Sequence, residues 1–328
     1  MKKIAALVIM LLTFMSMKSQ NNTMSDTIVG PKIFGVINVS VGNIRTGPDF
    51  ETELETQALL GQPVKILRKN GWYKIETPDG YKSWIHRMQI VPMTRAEINS
   101  WNLARKVIVT TPFAFAYSRP QTSSQVVSDI VAGDQLKYLG TTGQFYWVEY
   151  PDGRKAYLLI AQAQPFNEWV STRRFDANHI ISTAKSLYGI PYLWGGTSVK
   201  GVDCSGFVWT AAFLNGVILP RNASEMIKIG ERLIVAKDFS NLQPGDLVFF
   251  GHKAAAGKKE RVSHVGIYIG NRKFIHSLGM VHISSFNPKD TDYDEYDLNR
   301  FIGATRFLNH VGEYGITKIQ LNKLYPRL

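Results

Sequence analysis

Three side chains in this sequence have the types and placement that thiol chemistry needs: Cys204, His264 and His276. Cys204 is the only cysteine in 328 residues and sits in Gly201-Val202-Asp203-Cys204-Ser205-Gly206-Phe207. Asp203 and Ser205 favour a helix start there, and Asn215-Gly216 supplies its stop, so Cys204 is expected in the first helical turn. Unpaired backbone N–H groups and the positive end of the helix dipole stabilise a thiolate at such a position. A lone cysteine can equally be a small packing residue, and each histidine can be structural. What favours chemistry is that a nucleophilic thiol, a base and a residue to orient the base are all present.

The elements that must position these groups follow from the pattern. Phe207, Val208, Ala211, Ala212 and Leu214 give the Cys204 helix a buried face, and Asn178 to Tyr188 reads as an amphipathic helix closed by Gly189. Leu242-Gln243-Pro244-Gly245-Asp246 is a turn feeding a buried strand, Leu247 to Phe250. Val262–Gly270 and Lys273–Leu278 read as two more strands. A hairpin centred on Gly270 would set His264 directly opposite His276, both imidazoles on one face and Val265, Ile267 and Ile269 on the other. A metal site built from Cys204, His264 and His276 is conceivable, but the helix start around the cysteine favours catalysis over ligation. His86, His179, His252, His282 and His310 are read as structural or surface residues.

Residues 33–163 contain an internal repeat. Gly71-Trp72-Tyr73-Lys74-Ile75-Glu76-Thr77-Pro78-Asp79-Gly80 recurs as Gln144-Phe145-Tyr146-Trp147-Val148-Glu149-Tyr150-Pro151-Asp152-Gly153. Each copy has short alternating apolar segments around a Pro-Asp-Gly turn, and the period is too long for a solenoid unit. The two copies resemble bacterial SH3-like domains, small β-barrels that more often bind or position than catalyse. Thr94 opens a short helical connector between them.

The chain carries 45% hydrophobic and 20% charged residues, a globular composition. Met1-Lys2-Lys3, a short apolar run from Ile4 to Leu12 and a polar exit read as a secretory signal peptide, too short to span a membrane comfortably. An exported chain with one cysteine has no internal disulfide. The formal charge is +12, or +9 without Lys2, Lys3 and Lys18 of the leader. The basic residues are scattered, with no nucleic-acid signature; they suit an anionic cell envelope.

Tyr192-Leu193-Trp194-Gly195-Gly196, Asp203-Cys204-Ser205-Gly206-Phe207, Leu242-Gln243-Pro244-Gly245-Asp246 and Ser263-His264-Val265-Gly266-Ile267-Tyr268 together resemble the NlpC/P60 family of cysteine peptidases. Two SH3-like domains ahead of them make the chain similar to γ-D-glutamyl-L-diamino acid endopeptidases. The resemblance implies an α+β chain with a papain-like catalytic domain over residues 175–310. Ahead of it come a leader (1–20), SH3-like domains at 30–92 and 107–164 and a helical connector (93–106); a C-terminal tail (311–328) follows. It implies Cys204 as nucleophile, His264 as base, His276 as orienting residue and Tyr192 as an oxyanion partner of the Cys204 N–H. Asp203, Ser205 and Trp194 are the implied substrate contacts, with Tyr117 and Glu76 as candidates for a free substrate amine.

The implied substrate is a peptidoglycan peptide, L-Ala-γ-D-Glu-diamino acid. No metal or organic cofactor and no nucleic acid is expected, and a monomer in the periplasm or outside the cell is. One departure is Arg221-Asn222-Ala223-Ser224, where relatives often carry Arg-Asp-Ser or Arg-Asp-Ala, so that the carboxylate is absent here. The alternatives are a non-catalytic wall-binding protein, or an amidase or acyltransferase on the same thiol scaffold.

Overall fold

A computed structural model describes residues 30–254 and 259–325; the leader expected at 1–20 lies outside the described residues. The repeat folds as two seven-stranded sheets. In order along the chain, the strands of the first are Phe34–Ile37, Val41–Arg45, Leu54–Leu59, Pro63–Lys69, Trp72–Glu76, Lys82–His86 and Ile90–Met93. Those of the second are Lys106–Val109, Phe113–Tyr117, Val126–Val131, Gln135–Thr142, Phe145–Glu149, Lys155–Leu159 and Ala163–Pro165. Numbered within each copy, both sheets have the spatial order 3-2-6-5-4-1-7. The two Pro-Asp-Gly turns close alike: Gly80 N donates to Thr77 O over 2.9 Å and Gly153 N to Tyr150 O over 3.0 Å.

Between the barrels runs the helix Arg95–Leu103, opened by a capping box. Thr94 N donates to Glu97 Oε2 (2.7 Å) and Glu97 N to Thr94 Oγ1 (3.3 Å), so two end donors are satisfied at once. The barrels dock on each other through backbone. Gln135 N donates to Leu60 O (2.9 Å) and Leu60 N to the buried Asp134 carboxylate (3.1 Å). Gly61, at φ +79°, turns the chain at this contact, and a Cβ there would lie 2.1 Å from Gln135 O.

The remaining unit is an α+β layer. Six antiparallel strands lie in the spatial order Glu231–Leu233, Phe301–Arg306, Leu247–His252, Arg261–Gly270, Lys273–Leu278 and Met280–Ser285. The helix Cys204–Phe213, buried along its whole length, packs on Arg261–Gly270 and against the helix Ala177–Ser186. Phe207, Val208, Ala211, Ala212, Val265, Ile267 and Ile275 form the heart of this core. The Pro-Gly-Asp turn has a structural job: Asp246 accepts from Gln243 N (2.8 Å) and grips Arg306 (2.9 and 2.8 Å), tying together the neighbouring strands that follow and end the sheet.

Two expectations change here. The segment expected as a tail belongs to the core. Thr317–Lys318 pairs with Val217–Ile218, Ile316 and Ile319 are fully buried, and Tyr325 is nearly so. Those apolar residues cover the far end of the nucleophile helix, a long-range role that a short irregular segment does not announce. The hairpin register also shifts by two. The turn is Asn271-Arg272, with φ +51° and +62°, and a bulge between Tyr268 and Gly270 precedes it, so that Gly266 rather than His264 stands opposite His276. A two-residue shift preserves side-chain parity, which is why both imidazoles still share a face.

Each barrel has its own apolar core, and the three units also meet in one: Leu59 of the first barrel and Ile108 and Val131 of the second join the core of the Cys204 helix. Gly61→Ala combines backbone strain with an overlap that backbone cannot relieve. It is expected to cost about 2–4 kcal/mol, read as a lower midpoint in urea unfolding.

Candidate active site

The nucleophile helix starts where it does because of Asp203, whose Oδ1 accepts from Gly206 N (2.6 Å) and whose Oδ2 accepts from Gly195 N (2.9 Å). The loop 195–196 lies so close to the first turn that a Cβ on Gly206 would sit 1.9 Å from Gly196 O. Cys204 is thereby fixed at the first helical position, 8% exposed at the floor of a crevice. The backbone N–H groups of Ser205 and Val265 point at its sulfur, so the thiol lies against the residue that follows His264.

Burial decides the charge state of the thiol. Desolvation, then the charge of Asp203, pushes it up to about 12, and the two N–H groups and Arg221 offset only part of that. The thiolate expected from the helix N-terminus is therefore not the resting form. Burial also pulls His264 down to about 3 and His276 well below the usual imidazole range. At rest the thiol and both rings are neutral.

A chain of hydrogen bonds sets the tautomers. Ser284 Oγ donates to the Asp294 carboxylate (3.0 Å), which leaves its lone pair to accept from His276 Nε2 (3.0 Å). His276 Nδ1 is then bare and accepts from His264 Nε2 over 2.7 Å. His264 is left with an unprotonated Nδ1, the atom that can receive a thiol proton. Such an arrangement can run nucleophilic acyl transfer. It does not suit a metal: two nitrogens on one tetrahedral zinc stand about 3.3 Å apart, and here 2.7 Å is the spacing of a shared proton.

The crevice holds about 360 Å³ and is lined by Tyr192, Trp194, Asp203, Cys204 and Ser205 from the catalytic unit. The Tyr192 phenol is held above its ordinary range first by burial, with the charge of Asp203 adding to it, which keeps it a hydrogen-bond donor. Trp194 is 58% exposed at the mouth. Tyr117 and Glu76 are not among the lining residues. Tyr117 pairs with Tyr157 and Val126 inside the second barrel, and Glu76 faces Lys82 across its own hairpin. What reaches the crevice from the first barrel is Glu53, Glu55 and Tyr81. The Tyr81 hydroxyl is hydrogen-bonded to Glu55 and to Asn222, the residue that departs from the relatives' carboxylate.

Residue-type reasoning also missed Arg221, Ser284, Asp294 and Asp297. Arg221 is 2% exposed and holds Asp203 through both terminal nitrogens, Ser205 Oγ through Nη1 (2.9 Å) and Thr56 Oγ1 of the first barrel through Nε (2.8 Å). Its place in the Arg221-Asn222-Ala223-Ser224 segment was the available signal. The other three sit in a stretch without periodic pattern, where only Asp294 could have been flagged, as the cap of Glu295–Arg300.

Fold and site together fit a thiol hydrolase: a cysteine heading a helix, and a histidine on the strand against which that helix packs. Residues 189–300 match the NlpC/P60 family, and residues 40–89 match the bacterial SH3 domain. The chain is 34% identical over 266 residues to the γ-D-glutamyl-L-lysine dipeptidyl-peptidase of Bacillus cereus, covering 78% of this chain and 76% of that one. It is 29% identical to dipeptidyl-peptidase 6 of Lysinibacillus sphaericus, over 79% of this chain and 93% of the relative. The crystal structure of an NlpC/P60 family protein from Bacillus cereus is similar with a TM-score of 0.69 at 28% identity, covering 84% of this chain and 99% of the other. The chain belongs to the NlpC/P60 family of cysteine peptidases.

Arg221→Met would leave Asp203 as a buried charge without its partner. It is expected to lower unfolding free energy by about 3–5 kcal/mol in urea titration, and Arg221→Lys, which loses the two-pronged grip, to fall between.

Proposed function

We propose that this protein hydrolyses the γ-D-glutamyl–diamino acid bond of peptidoglycan stem peptides or released muropeptides, with Cys204 as nucleophile. The observation that carries the reading is the 2.7 Å bond from His264 to His276, which leaves His264 Nδ1 bare beside the strand residue touching the sulfur. The names of the Bacillus and Lysinibacillus relatives support the substrate class.

The Cys204 S–H bond breaks as its proton passes to His264 Nδ1, and sulfur attacks the γ-carbonyl carbon. The oxyanion forms near the Tyr192 hydroxyl and the Cys204 N–H, at the end of a helix whose dipole favours negative charge. His264 returns the proton to the leaving amine as the C–N bond breaks. Water, deprotonated by the same ring, hydrolyses the thioester and regenerates the thiol. Because the resting groups are neutral, charge separation is confined to the steps in which substrate dipoles and the oxyanion partners offset it.

The first barrel walls one end of the crevice, which favours short peptides with a free N-terminal L-Ala. An ammonium taken out of water there requires a carboxylate. Glu55, braced by Tyr81, fits that role in place of Glu76 and Tyr117. The leader expected from the sequence and the wall substrate support action outside the cytoplasm, in the periplasm or beyond the cell.

Digestion of L-Ala-γ-D-Glu-L-Lys and its meso-diaminopimelate counterpart, with products read by mass spectrometry, tests the reaction. Cys204→Ala is expected to lower turnover by about 10⁴-fold or more. An acetyl cap on the substrate amine is expected to abolish cleavage, and Glu55→Gln to raise KM about tenfold, or about 1.4 kcal/mol. Equal rates on capped and free peptides would refute the amine reading and leave the cysteine chemistry standing.

A further inference from the structure

One group beside the two histidines has no role in the sequence just described. Asp297 is fully buried, and its Oδ2 has no hydrogen-bond partner among the described residues. That oxygen lies 3.6 Å from His276 Nδ1 and 3.8 Å from His264 Nε2, beside the two atoms that share the proton of the His–His bond. The other oxygen, Oδ1, takes Nη1 of Arg300 (3.0 Å), and Asp297 N donates to Asp294 Oδ1 (2.9 Å), so the carboxyl is fixed in direction. A carboxylate oxygen buried without a donor is costly unless something repays it during turnover.

We propose that Asp297 is a positioning residue of the peptidase, whose unpartnered oxygen balances the charge of the two-histidine unit when His264 takes the Cys204 proton. The inference rests on the cysteine peptidase reading above. When the S–H bond breaks and the Nδ1–H bond forms, positive charge appears on the His264 ring and spreads to His276 through their shared proton. Oδ2 faces both nitrogens and is the carboxylate oxygen nearest them. The other titratable or charged groups around the pair are Cys204 from the nucleophile helix, His282 from the adjoining strand, and Asp294 and Arg300 flanking Asp297. His282 and Arg300 oppose charge on the ring; Asp294 favours it only through Ser284, whereas Asp297 Oδ2 faces the ring nitrogens directly. Burial raises the Asp297 carboxyl to about 7 and holds both rings below their usual range, so a charge appearing on either side shifts the proton affinity of the other across 3.6–3.8 Å.

The test compares full-length wild type with Asp297→Asn, an isostere without the charge. Profiles of kcat and KM against pH on L-Ala-γ-D-Glu-L-Lys are paired with ring-nitrogen NMR of the histidines. Removing the carboxylate lowers the proton affinity of the rings. The acid limb is expected to move down by about one pH unit and kcat to fall about 10- to 100-fold, with KM unchanged because Asp297 does not line the crevice. Asp297→Glu is expected to bring the limb part of the way back. Ring nitrogens that titrate alike in wild type and a folded Asn variant would overturn the proposal, as would a loss confined to KM. If wild type cleaves nothing while the ring titration still moves in the variant, the coupling stands and the peptidase reading falls. If the Asn variant does not fold, wild type decides alone: the ring nitrogens must show a second step where the Asp297 carboxyl carbon titrates, and its absence overturns the coupling.

Discussion

The His264–His276 hydrogen bond is the constraint on which the proposed chemistry depends. At 2.7 Å it is short enough to fix one tautomer, and the direction of its proton is imposed from outside, through Ser284 and ultimately the carboxylate of Asp294. An imidazole with the opposite tautomer would present an N–H to the thiol and could not act as its base. Two strands, the bulge between them and the start of the helix Glu295–Arg300 all serve this one proton assignment.

The same burial that makes the hydrogen bonds strong makes charge expensive. Both histidines are held neutral and the thiol protonated, so the helix N-terminus does not create a standing thiolate in this chain. In the proposed reaction its N–H groups and dipole act when charge develops on sulfur and oxyanion, which is where electrostatic preorganisation lowers a barrier. Two of the buried carboxylates are paired with arginines: Asp203 with Arg221, and Asp246 with Arg306.

Arg221 connects this local chemistry to the architecture. Its guanidinium holds the N-cap of the nucleophile helix and reaches Thr56 in the first barrel, so the barrel is bonded into the back of the site. Loop 195–196 is pressed against the same barrel, and Thr197 N donates to Gln57 Oε1 over 3.0 Å. With Leu59, Ile108 and Val131 in the catalytic core, the barrels form a fixed wall of the crevice.

What the sequence determined by itself was whatever local pattern encodes: the repeat, the Thr94 cap, the helix start at Asp203-Cys204, and strands with Val265 and Ile267 turned to the core. It also determined that His264 and His276 share a face, because strand parity survives a shift of two residues. Only the tertiary structure decided the register itself, since it depends on the Asn271-Arg272 turn and its bulge. The same holds for what the barrels bring to the crevice, which is Glu53, Glu55 and Tyr81 and neither Tyr117 nor Glu76. Arg221, Ser284 and Asp297 belong here too: a polar residue in a sequence carries no mark of being buried. The residues that surround it come from segments far apart in the chain, and their burial, which sets every charge state in this site, exists only after folding.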